Sequence, residues 1–138
     1  TAGPLKPELK LPMIATRDIG NFAADALLQL DFRGHQTREL QGQRDISMRE
    51  VTTIIGTAIG KTDLHYSQLP DEQFRGILIQ MGFSENLADL FLEMSAGLNS
   101  EHIRALEPRS PQNTTPTSYE QFAKEVFLPA YRGTSAAA

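Results

Sequence analysis

The 138-residue sequence contains no cysteine and no tryptophan. Without cysteine the chain can form neither a disulfide nor a thiolate metal site, and it cannot use a cysteine nucleophile. This composition suits a reducing compartment, so we expect a cytoplasmic protein. No apolar run reaches the roughly 18 residues of a membrane span, and no signal peptide is visible. We therefore expect no membrane partner.

Positive charge is also scarce, since 13 basic residues face 17 acidic ones and the net charge is −4. An acidic chain without a basic run is repelled by a phosphate backbone, so we expect no nucleic-acid partner. The three histidines, His35, His65 and His102, are scattered and lack a second ligand at helical spacing, which predicts no metal site. Ser47 and Ser84 occupy helix-capping positions, and no nucleophile–base pair is apparent. No catalytic residue is predicted.

Proline and polar residues divide the chain into parts. Residues 1–12 hold three prolines and are predicted to be an extended lead-in or linker. Residues 133–138 are predicted to be a disordered tail. Between them, residues 13–132 form one domain. Residues 99–116 are polar, hold three further prolines and predict a long loop that is mobile or functional.

Apolar periodicity predicts five helices in that domain. The first follows Asp18 as N-cap and ends at Gly34. The second begins with a capping box of Ser47 and Glu50 and ends at Gly60. The third helix is predicted between Pro70 and Gly82. The fourth is capped by Ser84, with Leu90 and Met94 pointing inward. The fifth begins with a capping box of Thr117 and Glu120 and ends at Pro129.

Two short strands are predicted, one between Gly34 and Gly42 and one over residues 63–70. The helix between them favours a parallel arrangement, and two such strands do not make a stable sheet alone. They are typical of the edge of a larger sheet. The fold class is therefore α/β, mostly helical, with about five helices and two short parallel strands.

Four segments together carry a resemblance to a known family: PMIATRDIGNFAADALL (12–28), TRELQGQRDISMREVTTIIGTAIGK (37–61), DLHYSQLPDEQFRGILIQMGFSENLADLFLEM (63–94) and YEQFAKEVFLPAYRG (119–133). In this order they resemble the C-terminal, substrate-side half of NmrA-like atypical short-chain dehydrogenases/reductases. The resemblance covers residues 12–133 and implies the C-terminal portion of a Rossmann-like fold.

The chain departs from that family at the cofactor. The family's N-terminal half carries a glycine-rich turn that binds a pyrophosphate at a helix N-terminus, and no such motif occurs here. Tyr119 and Lys124 are five apart, so they do not form the Tyr-x-x-x-Lys pair of many relatives. We expect NAD(P) in a full-length relative, no cofactor-binding residue in this chain, and no hydride transfer by the chain alone.

The resemblance places the loop around Thr16 and Asp18 near the nicotinamide and the substrate, with Met13 and Ile14 lining the pocket. Helical spacing assigns most of the aromatic and methionine residues to the core, while a minority would suit a flat, apolar, quinone-like ligand. The substrate-pocket candidates are Met13, Ile14, Thr16, Tyr66, Phe74, Met81, Phe91 and Met94.

Three functions stay open at this point. The chain is the substrate-side part of an NAD(P)-dependent oxidoreductase, or a non-catalytic regulatory or protein-interaction module of the same family, or a stand-alone half-domain that assembles with itself. The expected partner is accordingly the missing dinucleotide-binding half or a second copy of the chain.

Overall fold

The computed structural model describes residues 1–133; residues 134–138, most of the predicted tail, lie outside the described part. Its elements in chain order are β1 (Ala2–Gly3), β2 (Lys10–Leu11), α1 (Thr16–Gln29), β3 (Ile46–Ser47), α2 (Met48–Ile59), β4 (Ser67–Gln68), α3 (Asp71–Gln80), α4 (Glu85–Asn99), α5 (Tyr119–Phe122), a π-helical turn (Ala123–Phe127) and α6 (Leu128–Tyr131). The last three run on as one helix, so the expected mostly helical α/β chain with five helices is confirmed.

The strands form two separate pairs. β1 and β4 are parallel, with Ala2 opposite Ser67, and β2 and β3 are antiparallel, with Lys10 opposite Ser47. Residues 1–12 therefore contact two distant parts of the chain. The boundaries at residues 12 and 132 stay a prediction about domain organisation.

The predicted strand between Gly34 and Gly42 is wrong. Only Gln41 pairs there, in a single parallel bridge with Thr114. Within residues 63–70 only β4 is extended, and its neighbour is the chain's N-terminal end. Alternation of apolar residues indicates an extended segment but not its partner, and without a partner the ladder of hydrogen bonds does not form.

Helix α1 differs from expectation at both ends. It begins after Ala15, and Asp18 is buried inside its first turn, so Asp18 is not the N-cap. It ends at Gln29, where Leu30 adopts a left-handed conformation at φ 53°. The helix therefore ends at a leucine in the left-handed conformation, and not at Gly34, the glycine four residues later that was predicted to end it.

Helix α2 begins as predicted. The Ser47 hydroxyl accepts from the Glu50 N–H at 3.2 Å, and the Glu50 carboxylate accepts from the Ser47 N–H at 2.9 Å. Gly60 ends the helix with φ 75°. Ile46 and Val51 are buried at this end of the helix and contribute to the small core.

Helices α3 and α4 follow each other after a short connection and pack on each other. Ser84 caps α4 as predicted, by accepting from the Leu87 N–H. The Phe83 and Phe91 rings meet edge to face at 5.7 Å. Leu90 and Met94, expected to point inward, are exposed. The reason is that α4 packs mainly on α3, which leaves the opposite side of α4 uncovered.

The last helix is capped by Ser118, whose hydroxyl accepts from the Gln121 N–H, and not by Thr117. It also continues through Pro129, which was expected to end it. The π-helical turn precedes the proline, and there the Leu128 N–H reaches back five residues to the Ala123 carbonyl. This wider turn accommodates a ring that would clash with a carbonyl in a regular α-helix.

The loop before that helix is held by many hydrogen bonds. The Glu39 carboxylate accepts from the N–H groups of Leu106 and Glu107, and the Gln41 amide donates to the Glu107 carbonyl. Arg109 donates to the Gly42 carbonyl and to Asp45. None of the helices within residues 1–133 combines the length and apolarity needed to cross a membrane.

Candidate functional site

A buried clasp joins the two segments that form the candidate site. The Asp18 carboxylate, in the first turn of α1, accepts from both the backbone N–H and the hydroxyl of Thr117, at 3.0 and 2.8 Å. Both residues are buried. Hydrogen bonds to a buried carboxylate are among the stronger ones in proteins. The clasp therefore fixes the start of α1 against the start of α5, 99 residues away.

Ion pairs on the surface extend this junction. Arg17 donates to Thr117 at 3.3 Å and pairs with Glu125 at 2.8 Å. Hydrogen bonds from Gln121 and then from Arg17 lower the pKa of Glu125 below its usual range. The carboxylate therefore stays ionised at neutral pH. An exposed pair of this kind adds little stability, and it connects the first turn of α1 with the π-helical turn.

An open cavity of about 320 Å³ lies at this junction. Its size is at the lower end of small-molecule pockets. Apolar side chains dominate its wall, and the polar groups come from the start of α5. The lining residues are Met13, Ile14, Ala15, Thr117, Ser118, Tyr119 and Phe122.

Gly42 supports the segment that forms one wall of this cavity. Its N–H donates to the Pro12 carbonyl at 3.3 Å. A Cβ atom at this position would collide with the Met13 carbonyl oxygen. A glycine is therefore required for the close approach of the two backbones.

Tyr119 is half-buried beside Phe122, with the two ring centroids 5.8 Å apart. Burial raises the pKa of the Tyr119 phenol above 10.0, so the hydroxyl keeps its proton at neutral pH. Within residues 1–133 the hydroxyl has no hydrogen-bond partner in the protein. The Tyr66 hydroxyl, in contrast, has a partner, because it donates to the Leu5 carbonyl at 3.0 Å. The Tyr66 ring lies next to Gly3.

The structure brings together only some of the candidates from the sequence. Met13 and Ile14 share the cavity, and Thr16 follows it as the exposed first residue of α1. Met94 lines a different hollow, on the exposed side of α4. The other candidates lie outside both linings: Tyr66 binds Leu5, Phe74 is half-buried in α3, Met81 is exposed and Phe91 packs on Phe83.

Sequence reasoning missed Ser118, Tyr119 and Phe122 as lining residues. A signal was present, because the start of the last helix is marked by consecutive Thr, Ser and Tyr residues. The capping interpretation placed the cap one residue early, at Thr117, which in fact binds Asp18. The distance of 99 residues along the chain hides this pairing from any local pattern.

Helix α1 carries an exposed apolar face beside the cavity. We call Ile19, Phe22, Leu27 and Leu30 the α1 apolar face; all four are more than a third exposed, and Leu30 is 71% exposed. Within residues 1–133, α1 makes at most slight contact with the other helices and strands. An apolar stripe of this size on a helix is typical of a surface that packs against another element.

Two strand-to-helix turns, before α2 and before α3, are the positions to test for a phosphate. At the start of α2 the Glu50 carboxylate accepts from the Ser47 N–H and the Ser47 hydroxyl accepts from the Glu50 N–H, and at the start of α3 Asp71 and Glu72 add negative charge. Both arrangements disfavour an anion. These two turns therefore do not fit a pyrophosphate. Among residues 1–133, no three His, Asp or Glu side chains gather as metal ligands would.

Comparison with known proteins agrees with the fold. The sequence model of the NmrA-like family matches residues 1–123. Prestalk A differentiation protein A of Dictyostelium discoideum is 28% identical over 116 residues. That stretch is 83% of this chain but 38% of the relative, so the chain spans well under half the length of that protein.

Proposed function

The chain belongs to the NmrA-like family, and from this we propose that it is the substrate-side part of an NAD(P)-dependent oxidoreductase. It supplies walls of a pocket for a small apolar, quinone-like molecule, and a separate dinucleotide-binding half supplies the cofactor. The observation that carries this proposal is the apolar cavity formed by Met13 and Ile14 with the start of α5.

The α1 apolar face supports the same assignment. It begins one turn after the cavity wall, so a second half that packs on it would lie next to the bound molecule. Leu27 and Leu30 would then be buried, which removes their contact with water and favours association. The acidic helix starts at α2 and α3 explain why the cofactor is held by that other half.

The first test is an NADPH oxidation assay with a panel of quinones. We expect no turnover by the purified 138-residue chain and measurable turnover by the gene product that contains it with a dinucleotide-binding half. Robust turnover by the chain alone would refute the proposal. So would a native gene product of 138 residues that neither turns over nor binds a dinucleotide-binding protein.

A pair of substitutions in the longer gene product links turnover to the cavity. Ile14→Trp fills the cavity and is expected to raise KM at least tenfold while kcat changes less. Met94→Trp, on the separate hollow of α4, is the matched control and is expected to leave KM unchanged. Equal effects of the two substitutions would count against the cavity as the substrate pocket.

A second candidate is a non-catalytic regulatory module. The name of the Dictyostelium discoideum relative denotes a differentiation protein. In this case the α1 apolar face binds a partner protein, and the longer gene product binds NADPH without oxidising it. Calorimetry with NADPH, run beside the quinone assay, separates the two: binding without turnover on every quinone favours the regulator.

A further inference from the structure

The Tyr119 hydroxyl distinguishes the cavity from an ordinary gap between helices. The wall made by Met13, Ile14 and Phe122 offers apolar contact only, whereas Tyr119 brings a phenol to the same space. No group within residues 1–133 accepts a hydrogen bond from this phenol. The hydroxyl is not sealed off from solvent, so it remains free to donate to an acceptor on a bound ligand.

The two other tyrosines serve as internal comparisons. Tyr66 already donates to the Leu5 carbonyl. Tyr131 is exposed, stacks on Phe127 and carries the Lys61 ammonium 5.8 Å from its ring centroid. Of the three tyrosines, only Tyr119 lines the cavity and is half-buried with no partner for its hydroxyl within residues 1–133.

We propose that Tyr119 recognises a carbonyl oxygen on a flat aromatic or otherwise apolar ligand that occupies the cavity at the α1–α5 junction. This inference deepens the proposed function, on which its biological meaning rests, by naming the ligand chemistry of the same pocket. The phenol donates, the carbonyl accepts, and the side chains of Met13, Ile14 and Phe122 contact the ring system. Tyr119 is a specificity-determining residue in this arrangement.

The geometry around Tyr119 suits such recognition. Its backbone follows the Ser118 cap and lies two residues from the Asp18–Thr117 clasp, so the helix start that carries the phenol is fixed before any ligand arrives. A preorganised donor costs less ordering on binding than a mobile one. Burial keeps the phenol protonated, which is the state that donates to a neutral ketone.

The experiment compares two ligands of nearly the same shape. The probes are 2-acetylnaphthalene, which has a carbonyl, and 2-ethylnaphthalene, which has none, titrated into the isotope-labelled chain and followed by NMR. We expect the ketone to bind about tenfold more tightly, as one net hydrogen bond allows. Intermolecular NOEs are expected between the acetyl methyl protons and the Tyr119 ring.

Two variants assign the preference to one hydroxyl. Tyr119→Phe removes a single oxygen, keeps the ring contact with Phe122, and is expected to abolish the preference for the ketone while still binding the hydrocarbon. Tyr131→Phe is the matched control and is expected to retain the preference. The NOEs of the unmodified chain give the same answer independently should Tyr119→Phe fold poorly.

Several outcomes would overturn the inference: equal affinity of the unmodified chain for both probes, a preference that persists in Tyr119→Phe, NOEs to another tyrosine, or no binding of either probe. The proposed function fails by a different readout, namely NADPH turnover by the chain alone. A failure of carbonyl recognition is therefore distinguishable from a failure of the oxidoreductase assignment.

Discussion

Helix α1 and the loop over residues 104–117 are opposites in this molecule. The helix is regular, with its backbone hydrogen bonds satisfied internally, yet its apolar face is exposed. The loop has almost no regular structure, yet Asn113, Thr115 and Thr117 are buried in it and bonds from Glu39, Gln41 and Arg109 hold it. Regular secondary structure and tertiary anchoring are thus separate properties, and we expect stability here to follow the second.

The sharpest contrast between the regions lies in two glycines. Gly42→Ala introduces a Cβ against the Met13 carbonyl beside the anchored loop, and we expect it to lower the free energy of unfolding by at least about 3 kcal/mol. Gly20→Ala in α1 meets nothing within 4 Å and is expected to raise it by about 0.5–1 kcal/mol. Urea denaturation of both variants measures the difference. Similar effects of the two substitutions would show that the loop is no more tightly anchored than α1.

The connection between the two regions is tested by Asp18→Ala. This change leaves the buried Thr117 N–H and hydroxyl without their acceptor, and we expect a loss of about 3 kcal/mol in the free energy of unfolding. Asp25→Ala, at an exposed position of the same helix, is the matched control and is expected to cost less than about 0.5 kcal/mol. Thermal denaturation followed by circular dichroism checks both, and equal melting temperatures would contradict a structural clasp.

Anchoring of the loop by Glu39 predicts a pH dependence. Hydrogen bonds from the N–H groups of Leu106 and then Glu107 lower the pKa of this carboxyl below its ordinary value of 4.5. Since the folded-state pKa is the lower one, the contribution of Glu39 is fully present above 4.5 and is lost as the pH falls through the lowered pKa. The stability difference between the unmodified chain and Glu39→Gln should therefore shrink between pH 5 and pH 3.

Urea midpoints measured across that interval give this difference directly, because the other carboxyl groups titrate in both proteins and cancel. A difference that stays constant with pH, or one that grows as the pH falls, would mean that Glu39 does not hold the loop in solution.

The smallest effect is expected on the α1 apolar face. Leu27 is 64% exposed, so Leu27→Lys is expected to change the free energy of unfolding of the isolated chain by less than about 0.5 kcal/mol. The same change at Leu78, which is buried in α3, is expected to unfold the chain. A large loss from Leu27→Lys would show that α1 is covered in solution, and dependence on protein concentration would identify a second copy as the cover.

Local features were the predictable part of the fold. The caps at Ser47 and Ser84 depend on groups within three residues, so the sequence pattern contains the whole interaction. The stops at Gly60 and Gly82 are local as well, because a left-handed conformation favours glycine wherever it occurs.

Long-range partners were not predictable from pattern. Asp18 has the composition of an N-cap, and only the fold shows that its carboxylate serves Thr117. Gln41 forms a single bridge where a strand was expected, because its partner belongs to an irregular loop. At the candidate site, Met13 and Ile14 followed from family resemblance, whereas Tyr119 required knowledge of which segments meet.

The π-helical turn at Ala123–Phe127 changes the direction in which the side chains of the last helix point before and after it. One additional residue in a helix rotates everything after it by about 100° relative to what precedes it. Tyr119 and Phe122 can therefore face the cavity while Phe127 and Tyr131 stack on each other near Lys61. The last helix thus contacts two parts of the chain on different sides. Deleting one residue from the π-helical turn would rotate one end of the helix away from its contacts.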